Sequence, residues 1–158
     1  MARGGKIRKR TLQSDLVYNS RLVTRMVNRV MISGKKSTAE RVVYGAMERL
    51  TAMGKDPMVV LETAIRNVGP RMEVRPRRVG GAAYQVPMEV RGDRREALAL
   101  RWIITAATSR SNREYKTFSD KLVAELLDSA NNIGAAIQKR DNTLKMADAN
   151  KAFAHFRW

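Results

Sequence analysis

Residues 72–90 read MEVRPRRVGGAAYQVPMEV, and the spacing of apolar side chains changes there from helical to alternating. On each side of a central glycine pair, apolar residues alternate with charged or polar ones. Such alternation around glycines predicts a β-hairpin. Pro76 and Pro87 cannot donate to a ladder of hydrogen bonds, so both strands are predicted to be edges of a free-standing ribbon that projects outward.

Helical periodicity fills the chain on both sides of this hairpin, with apolar residues three and four positions apart in six segments. Capping residues, glycines and prolines mark several of the boundaries. The predicted helices follow Asn19 or Ser20 as far as Gly34, open at Ser37 with Glu40 in capping-box spacing, follow the cap Asp56 and Pro57, open at the cap Asp93, include Phe118 and Leu127, and run from about Gly134 to Ala152.

The predicted fold is therefore mainly α, a single domain of about six helices with a protruding two-stranded β-hairpin and a basic N-terminal arm. A chain of 158 residues with 44% hydrophobic side chains is long enough for one core. The expected divisions are the arm at 1–18, a helical domain at 19–152 with the hairpin at about 71–91, and a C-terminal tail at 153–158. Within the fourth helix, we expect Trp102 to be buried and Arg101 to be exposed.

Charge points to the class of partner. The chain has 31 Lys and Arg against 15 Asp and Glu, a formal net charge of +16 and an isoelectric point near 11.1. Self-repulsion of that size is relieved by a polyanion, most simply a nucleic acid. A basic membrane-surface protein would need a separate amphipathic helix or a lipid anchor, and the sequence offers no such segment.

Several chemistries are disfavoured by residue type. Cysteine is absent and His155 is the one histidine, so neither a thiolate site nor a histidine-based triad or metal site can be assembled. The GKKS at 34–37 lacks the earlier glycine of a phosphate-binding loop and follows a predicted helix instead of a strand. We therefore expect no enzyme activity, cofactor, metal or small-molecule substrate.

The same sequence shows no leader peptide and no apolar run long enough to span a membrane, and its lack of cysteine suits a reducing compartment. The expectation is a cytoplasmic protein without membrane contact.

Three basic segments are the candidate nucleic-acid contacts. The arm carries five cations and almost no apolar side chains, so it is predicted to stay disordered until it meets a counter-charge. Two lysines lie beside the predicted start of the second helix, whose free N–H groups favour phosphate. Hairpin arginines outnumber its acids, and arginine's planar fork suits phosphates and bases. The segments hold Arg3, Lys6, Arg8, Lys9 and Arg10; Lys35 and Lys36; and Arg75, Arg77 and Arg78.

Over nearly its full length, the chain resembles the family of the seventh protein of the small ribosomal subunit, in its bacterial or organellar form. The strongest stretches are VVY at 42–44, RRVGG at 77–81, YQVP at 84–87, ALALRW at 97–102 and MADANKAFAHFRW at 146–158. The chain differs from the family pattern at 111–117, at 131–133 and at Gln138.

The resemblance implies a non-catalytic structural constituent of the small subunit, cytoplasmic or organellar. It implies direct binding to the 3′ major domain of small-subunit rRNA through the ten cations named above, nucleation of head assembly, and neighbouring head proteins as partners. It also implies a position near the exit site. There the hairpin tip, Gly80, Gly81, Ala82, Ala83 and Tyr84, would approach messenger RNA and the departing transfer RNA.

Two other classes of function compete with this interpretation. An architectural DNA-binding protein also combines a helical body with proline-bearing basic arms. The basic body and the absence of an apolar wedge at the ribbon tip argue against it. An RNA-processing enzyme is a more remote alternative, and it would depend on individual carboxylates.

Overall fold

Helices make up most of the structure, a computed structural model that describes residues 11–156 without the side chain of Val79. The mainly α, single-domain prediction with a two-stranded hairpin is confirmed. In chain order the elements are α1 (Arg21–Val30), α2 (Lys36–Ala52), α3 (Pro57–Val68), β1 (Met72–Val79), β2 (Ala82–Glu89), α4 (Gly92–Ser109), α5 (Phe118–Ala130), α6 (Ala135–Ala149) and a C-terminal 3-10 helix (Lys151–Phe156).

Side-chain caps start three of these helices. The sequence left Asn19 and Ser20 open as the residue before α1, and the Ser20 hydroxyl is the one that accepts a hydrogen bond from the N–H of Leu22. The Asp56 carboxylate accepts one from the N–H of Met58 at 2.8 Å, as the sequence predicts. At α5, Thr117 and Asp120 form a reciprocal capping box that the sequence pattern did not reveal.

Two predicted caps were wrong. Helix α2 begins at Lys36, one residue before Ser37, because a tight turn with positive φ at Ser33 and Gly34 delivers the chain and the N–H of Lys36 donates to the carbonyl of Gly34. Glu40 therefore forms an ion pair with Lys36 at 3.3 Å. Asp93 lies inside the first turn of α4, whose N-cap position is occupied by Arg91.

Helix α5 packs against α2, α3 and α4, and α1 completes the core by packing against α2. The burial of these apolar side chains supplies most of the stabilisation, at about 1.5–3 kcal/mol for each large one. The largest that are fully buried are Met26, Met47, Leu50, Leu61, Ile103, Leu122 and Leu126.

The hairpin is antiparallel, with pairs running from Met72 opposite Glu89 to Val79 opposite Ala82. Its tip is a two-residue turn with positive φ at both Gly80 and Gly81, which glycine adopts without steric cost. Both strands are sheet edges, as predicted.

The expectation of a free-standing ribbon was wrong, because the hairpin packs against the rest of the fold. Both strands contact α6, and β2 also contacts the 3-10 helix. Val86 is fully buried and Val90 nearly so.

Two details of the C-terminal half differ from prediction. Trp102 is only partly buried, although Arg101 is exposed as expected. The indole packs against the core but also lines a cavity of about 400 Å³ bounded by residues of α4, α6 and the hairpin. Helix α6 ends at Ala149, short of the predicted Ala152, and the backbone continues as the 3-10 helix, so the expected tail at 153–158 starts inside a helix.

Candidate nucleic-acid interface

The start of α2 presents two of the predicted phosphate contacts. Lys35 occupies the N-cap position and Lys36 the first helical position, and both side chains are exposed. No acidic residue lies in the first turn. The helix dipole and the two ammonium groups thus both favour a negative charge, such as a phosphate, at this point of the surface.

An apolar groove of about 440 Å³ lies beside these lysines, where the α1–α2 turn meets α4 and α5. Sequence reasoning did not predict this groove, because its walls come from four separate elements. Ile32, Val42 and Phe118 line it together with the cations Arg29 and Lys35, and Ile32 is 78% exposed. Apolar and aromatic surface beside cations suits single-stranded RNA, whose unstacked bases need such contacts.

The hairpin arginines differ in their surroundings. Arg78 is exposed, and Arg77 is half-buried. Arg75 lies with its Nε 2.5 Å from Oε1 of Glu73, yet 46% of its side chain stays exposed. The positions of Arg75 and Arg78 leave both side chains accessible to a polyanion.

Glu73 is buried, with 7% of its surface exposed, because two arginines neutralise it. The second is Arg94 of α4, whose Nε lies 2.8 Å from both carboxylate oxygens. This pairing ties the base of the hairpin to α4. Charge-assisted bonds of this kind are the stronger class of hydrogen bond.

The first turns of α4 also tie α1 to the same region. Arg25 forms an ion pair with Glu96 and lies 3.7 Å from Asp93. Helix α4 thereby links α1 to the base of the ribbon, so that the cations of α1 and those of the ribbon belong to one framework.

The connection between α4 and α5 is held by a buried ionic network. Glu125 is fully buried and accepts two hydrogen bonds from Arg110 at 2.6 and 2.8 Å and one from the N–H of Ala136. Arg110 also pairs with Asp128. Lys121 lies four residues before Glu125 in α5, but its ammonium donates to the carbonyl of Arg110. The network fixes a connection that carries two exposed cations, Arg113 and Lys116.

The arm cations Arg3, Lys6, Arg8, Lys9 and Arg10 lie outside the described residues. Within the described part of the predicted arm, residues 11–18, Asp15 and Tyr18 contact the helical body, whereas Leu16 and Val17 are exposed. The Asp15 carboxylate accepts a hydrogen bond from the Tyr44 hydroxyl at 2.6 Å, and the rings of Tyr18 and Tyr44 lie 6.2 Å apart. The arm boundary at residue 18 and the other domain divisions stay predictions.

The tip residues Gly80, Gly81, Ala82 and Ala83 are exposed. Tyr84 is not, because its ring lies against two phenylalanines of the 3-10 helix. Across residues 11–156, no cluster of His, Asp or Glu is arranged to hold a metal ion. Over the same part of the chain, no helix combines the length and the apolar character that a membrane span needs.

Comparison with known proteins identifies the family. The family described as "Ribosomal protein S7p/S5e" matches residues 2–151. The chain is 51% identical to the "Small ribosomal subunit protein uS7" of Acetivibrio thermocellus and 53% identical to that of Streptococcus suis, and each match covers both proteins completely. A protein of the same name from Heliobacterium modesticaldum is 51% identical over the full length of both. These relatives are ribosomal proteins and not enzymes, and the chain belongs to the ribosomal protein S7p/S5e family.

Proposed function

We propose that this protein is a structural component of the small ribosomal subunit that binds the 3′ major domain of small-subunit rRNA directly and nucleates assembly of the subunit head. The proposal depends mainly on sequence identity: over its full length, the chain is 51% and 53% identical to two proteins named for the small ribosomal subunit. A net charge of +16 fits a polyanionic partner. The proposed location is a ribosome of the cytoplasm or of an organelle.

The proposed rRNA contacts fall on three segments: the arm, the start of α2 and the outer part of β1. Exposure of Lys35, Lys36, Arg75 and Arg78 supports this assignment, because each can reach a phosphate without unfolding its surroundings. The complete set is Arg3, Lys6, Arg8, Lys9, Arg10, Lys35, Lys36, Arg75, Arg77 and Arg78.

The hairpin tip is proposed to lie at the exit site, near messenger RNA and transfer RNA. Gly80, Gly81, Ala82 and Ala83 have small side chains or none, so another backbone can approach them closely. Tyr84 borders this tip. Other partners are neighbouring head proteins, and the function needs no cofactor.

The test separates anchoring from exit-site contact. Changing Arg75, Arg77 and Arg78 together to Ala is expected to weaken binding of the isolated rRNA domain by about 2–5 kcal/mol in total. Replacing residues 79–82 by Asn-Gly removes one residue from each strand, so it keeps a two-residue turn and the pairing of Arg78 with Ala83 and removes no charge. It should leave rRNA affinity nearly unchanged while altering retention of exit-site transfer RNA or the frequency of frameshifting.

Filter binding measures the affinity of each variant for the isolated rRNA domain. Assays on ribosomes that carry the variant measure the frequency of frameshifting and the retention of exit-site transfer RNA. Loss of rRNA binding on shortening the tip would show that the whole ribbon is an anchor. The DNA-binding alternative finds no support in the comparisons. A competition assay between structured rRNA and duplex DNA at one salt concentration checks it, and preference for the duplex would overturn the proposal.

A further inference from the structure

The C-terminal 3-10 helix packs an aromatic pair against the hairpin. The centroid of the Tyr84 ring lies 5.3 Å from that of Phe153 and 5.2 Å from that of Phe156. The two phenylalanine rings are stacked, 6.5 Å apart with 17° between their planes. All three rings are partly buried, and none belongs to the hydrophobic core of the helical body.

The position of Tyr84 makes this contact mechanically important. Val86, two residues further along β2 and on the same face of the ribbon, is fully buried and holds the base. Between the turn and Tyr84, β2 has only alanines. Tyr84 is thus the large side chain of β2 nearest the tip, and a two-stranded ribbon has little rigidity of its own.

The 3-10 helix is itself braced. The ring of His155 lies 4.0 Å from that of Phe156, and its Nδ1 lies 2.9 Å from the carbonyl oxygen of Ala152. The helix follows α6, which also packs against both strands. The aromatic pair therefore connects the outer ribbon to the same support that holds its base.

We propose that Phe153 and Phe156 are positioning residues for the hairpin: by packing against Tyr84, they fix where the tip lies relative to the helical body. The inference rests on the proposed function, in which the tip acts at the exit site. Loss of this aromatic contact leaves the base of the hairpin packed against the helical body and lets the outer part of the hairpin move relative to that body.

A distance measurement on the full-length protein tests this directly. The chain has no cysteine, so Ala82→Cys at the tip and Glu48→Cys on the exposed side of α2 can take two spin labels cleanly. We expect a narrow distance distribution in the parent. The double change Phe153→Ala with Phe156→Ala should broaden it roughly twofold or more, as local opening of a weakly held segment does.

Matched variants give the controls. Lys151→Ala removes an exposed side chain of the same 3-10 helix and should leave the distribution narrow. Tyr84→Phe keeps the ring and should also leave it narrow, whereas Tyr84→Ala should reproduce the broadening. Adding Tyr84→Ala to the double change should broaden it no further, because all three act through one contact. Unchanged thermal unfolding of the body confirms that the fold persists.

The outcomes separate this inference from the proposed function. A distribution that stays narrow in both ring-deletion variants overturns the positioning role. Broadening together with retained rRNA affinity and altered frameshifting supports both. Broadening with unchanged frameshifting and exit-site retention supports the positioning role and contradicts the proposed task of the tip.

Discussion

Glu125 and Arg110 carry opposite charges in a place where a lone charge could not be accommodated. Glu125 is fully buried, and 18% of the Arg110 side chain is exposed. Breaking a buried pair costs far more than the pair contributes by itself, because the remaining charge is left without water or a partner. The two residues therefore matter mainly as a constraint on the α4–α5 connection.

Changing Glu125 to Ala should destabilise the protein by roughly 3–5 kcal/mol, since it strands Arg110 and removes the acceptor for Ala136 N–H. Glu125→Gln keeps an acceptor and should cost less. Urea unfolding measures both. Lys36→Ala breaks the exposed pair with Glu40 and serves as the control, with an expected loss below about 1 kcal/mol. Equal losses for the buried and the exposed pair would contradict the argument.

Asp15 and Tyr44 share a hydrogen bond that couples stability to pH. Burial alone would raise the pKa of the Asp15 carboxyl, but hydrogen bonds from Tyr44, Tyr18 and Val17 outweigh it and hold the pKa below its ordinary value. The bond to Asp15, aided by burial, raises the pKa of Tyr44 to about 12. The charged carboxylate and the neutral phenol are thus the forms that the fold favours.

The sign of the pH dependence follows from these shifts. Asp15 stabilises the fold above its unfolded pKa of about 4, and the contribution is lost as pH falls through the lower folded value. Tyr44 stabilises it below its unfolded pKa of about 10, and that contribution is lost as pH rises toward about 12. The midpoint temperature of thermal unfolding of Tyr44→Phe should lie furthest below that of the parent between about pH 4 and about pH 10. Tyr84→Phe is the control, and a gap independent of pH would refute the coupling.

Among the elements, the hairpin shows how register changes the meaning of a pattern. The apolar positions of β2 lie opposite charged positions of β1: Tyr84 faces Arg77, and Val86 faces Arg75. Opposed residues project from the same face. Neither face is therefore uniformly apolar, and burial of Glu73 becomes possible because Arg75 and Arg94 reach it.

The α5–α6 connection depends on Gly134, whose φ of 96° and ψ of 172° lie in a region open almost only to glycine. An added Cβ would lie 3.1 Å from Cβ of Asp128 and 3.2 Å from Oε1 of Glu125. Gly134→Ala should cost about 1–3 kcal/mol from the backbone alone, and more from crowding the ionic network.

Gly54→Ala is the matched control, because Gly54 has a φ of 73° but open space around the added Cβ. It should cost only about 1–2 kcal/mol. Chemical unfolding of both variants gives the comparison. A smaller loss at Gly134 than at Gly54 would show that the network yields easily.

At the scale of the whole molecule, the excess of cations decides the behaviour. With 31 basic and 15 acidic side chains, internal pairing cannot neutralise the surface. Described ion pairs already engage Glu40, Glu73, Glu96, Asp120, Glu125, Asp128 and Asp141. Affinity for RNA should therefore depend steeply on salt.

Removing residues 1–10 should leave thermal stability unchanged and weaken rRNA binding, because this segment has five cations but hardly any apolar side chains. The slope of log affinity against log salt should become shallower by about 0.7–0.9 for each phosphate that the arm no longer neutralises. Thermal unfolding and salt titrations on truncated and full-length protein give both readouts. An unchanged slope would mean that the arm does not touch phosphates.

Local spacing and composition were enough to predict the helical class, the hairpin and its glycine tip, a cap at Asp56 and the cationic character, and they narrowed the start of α1 to Asn19 or Ser20. The stretches at 77–81, 97–102 and 146–158 also pointed to the family. Tertiary structure alone decided what joins distant segments. The Arg110–Glu125 network, the groove at Ile32 and the aromatic contact of Tyr84 each bring together residues far apart in the chain. Periodicity specifies which side of an element is apolar, but register and packing geometry choose the neighbour that it meets.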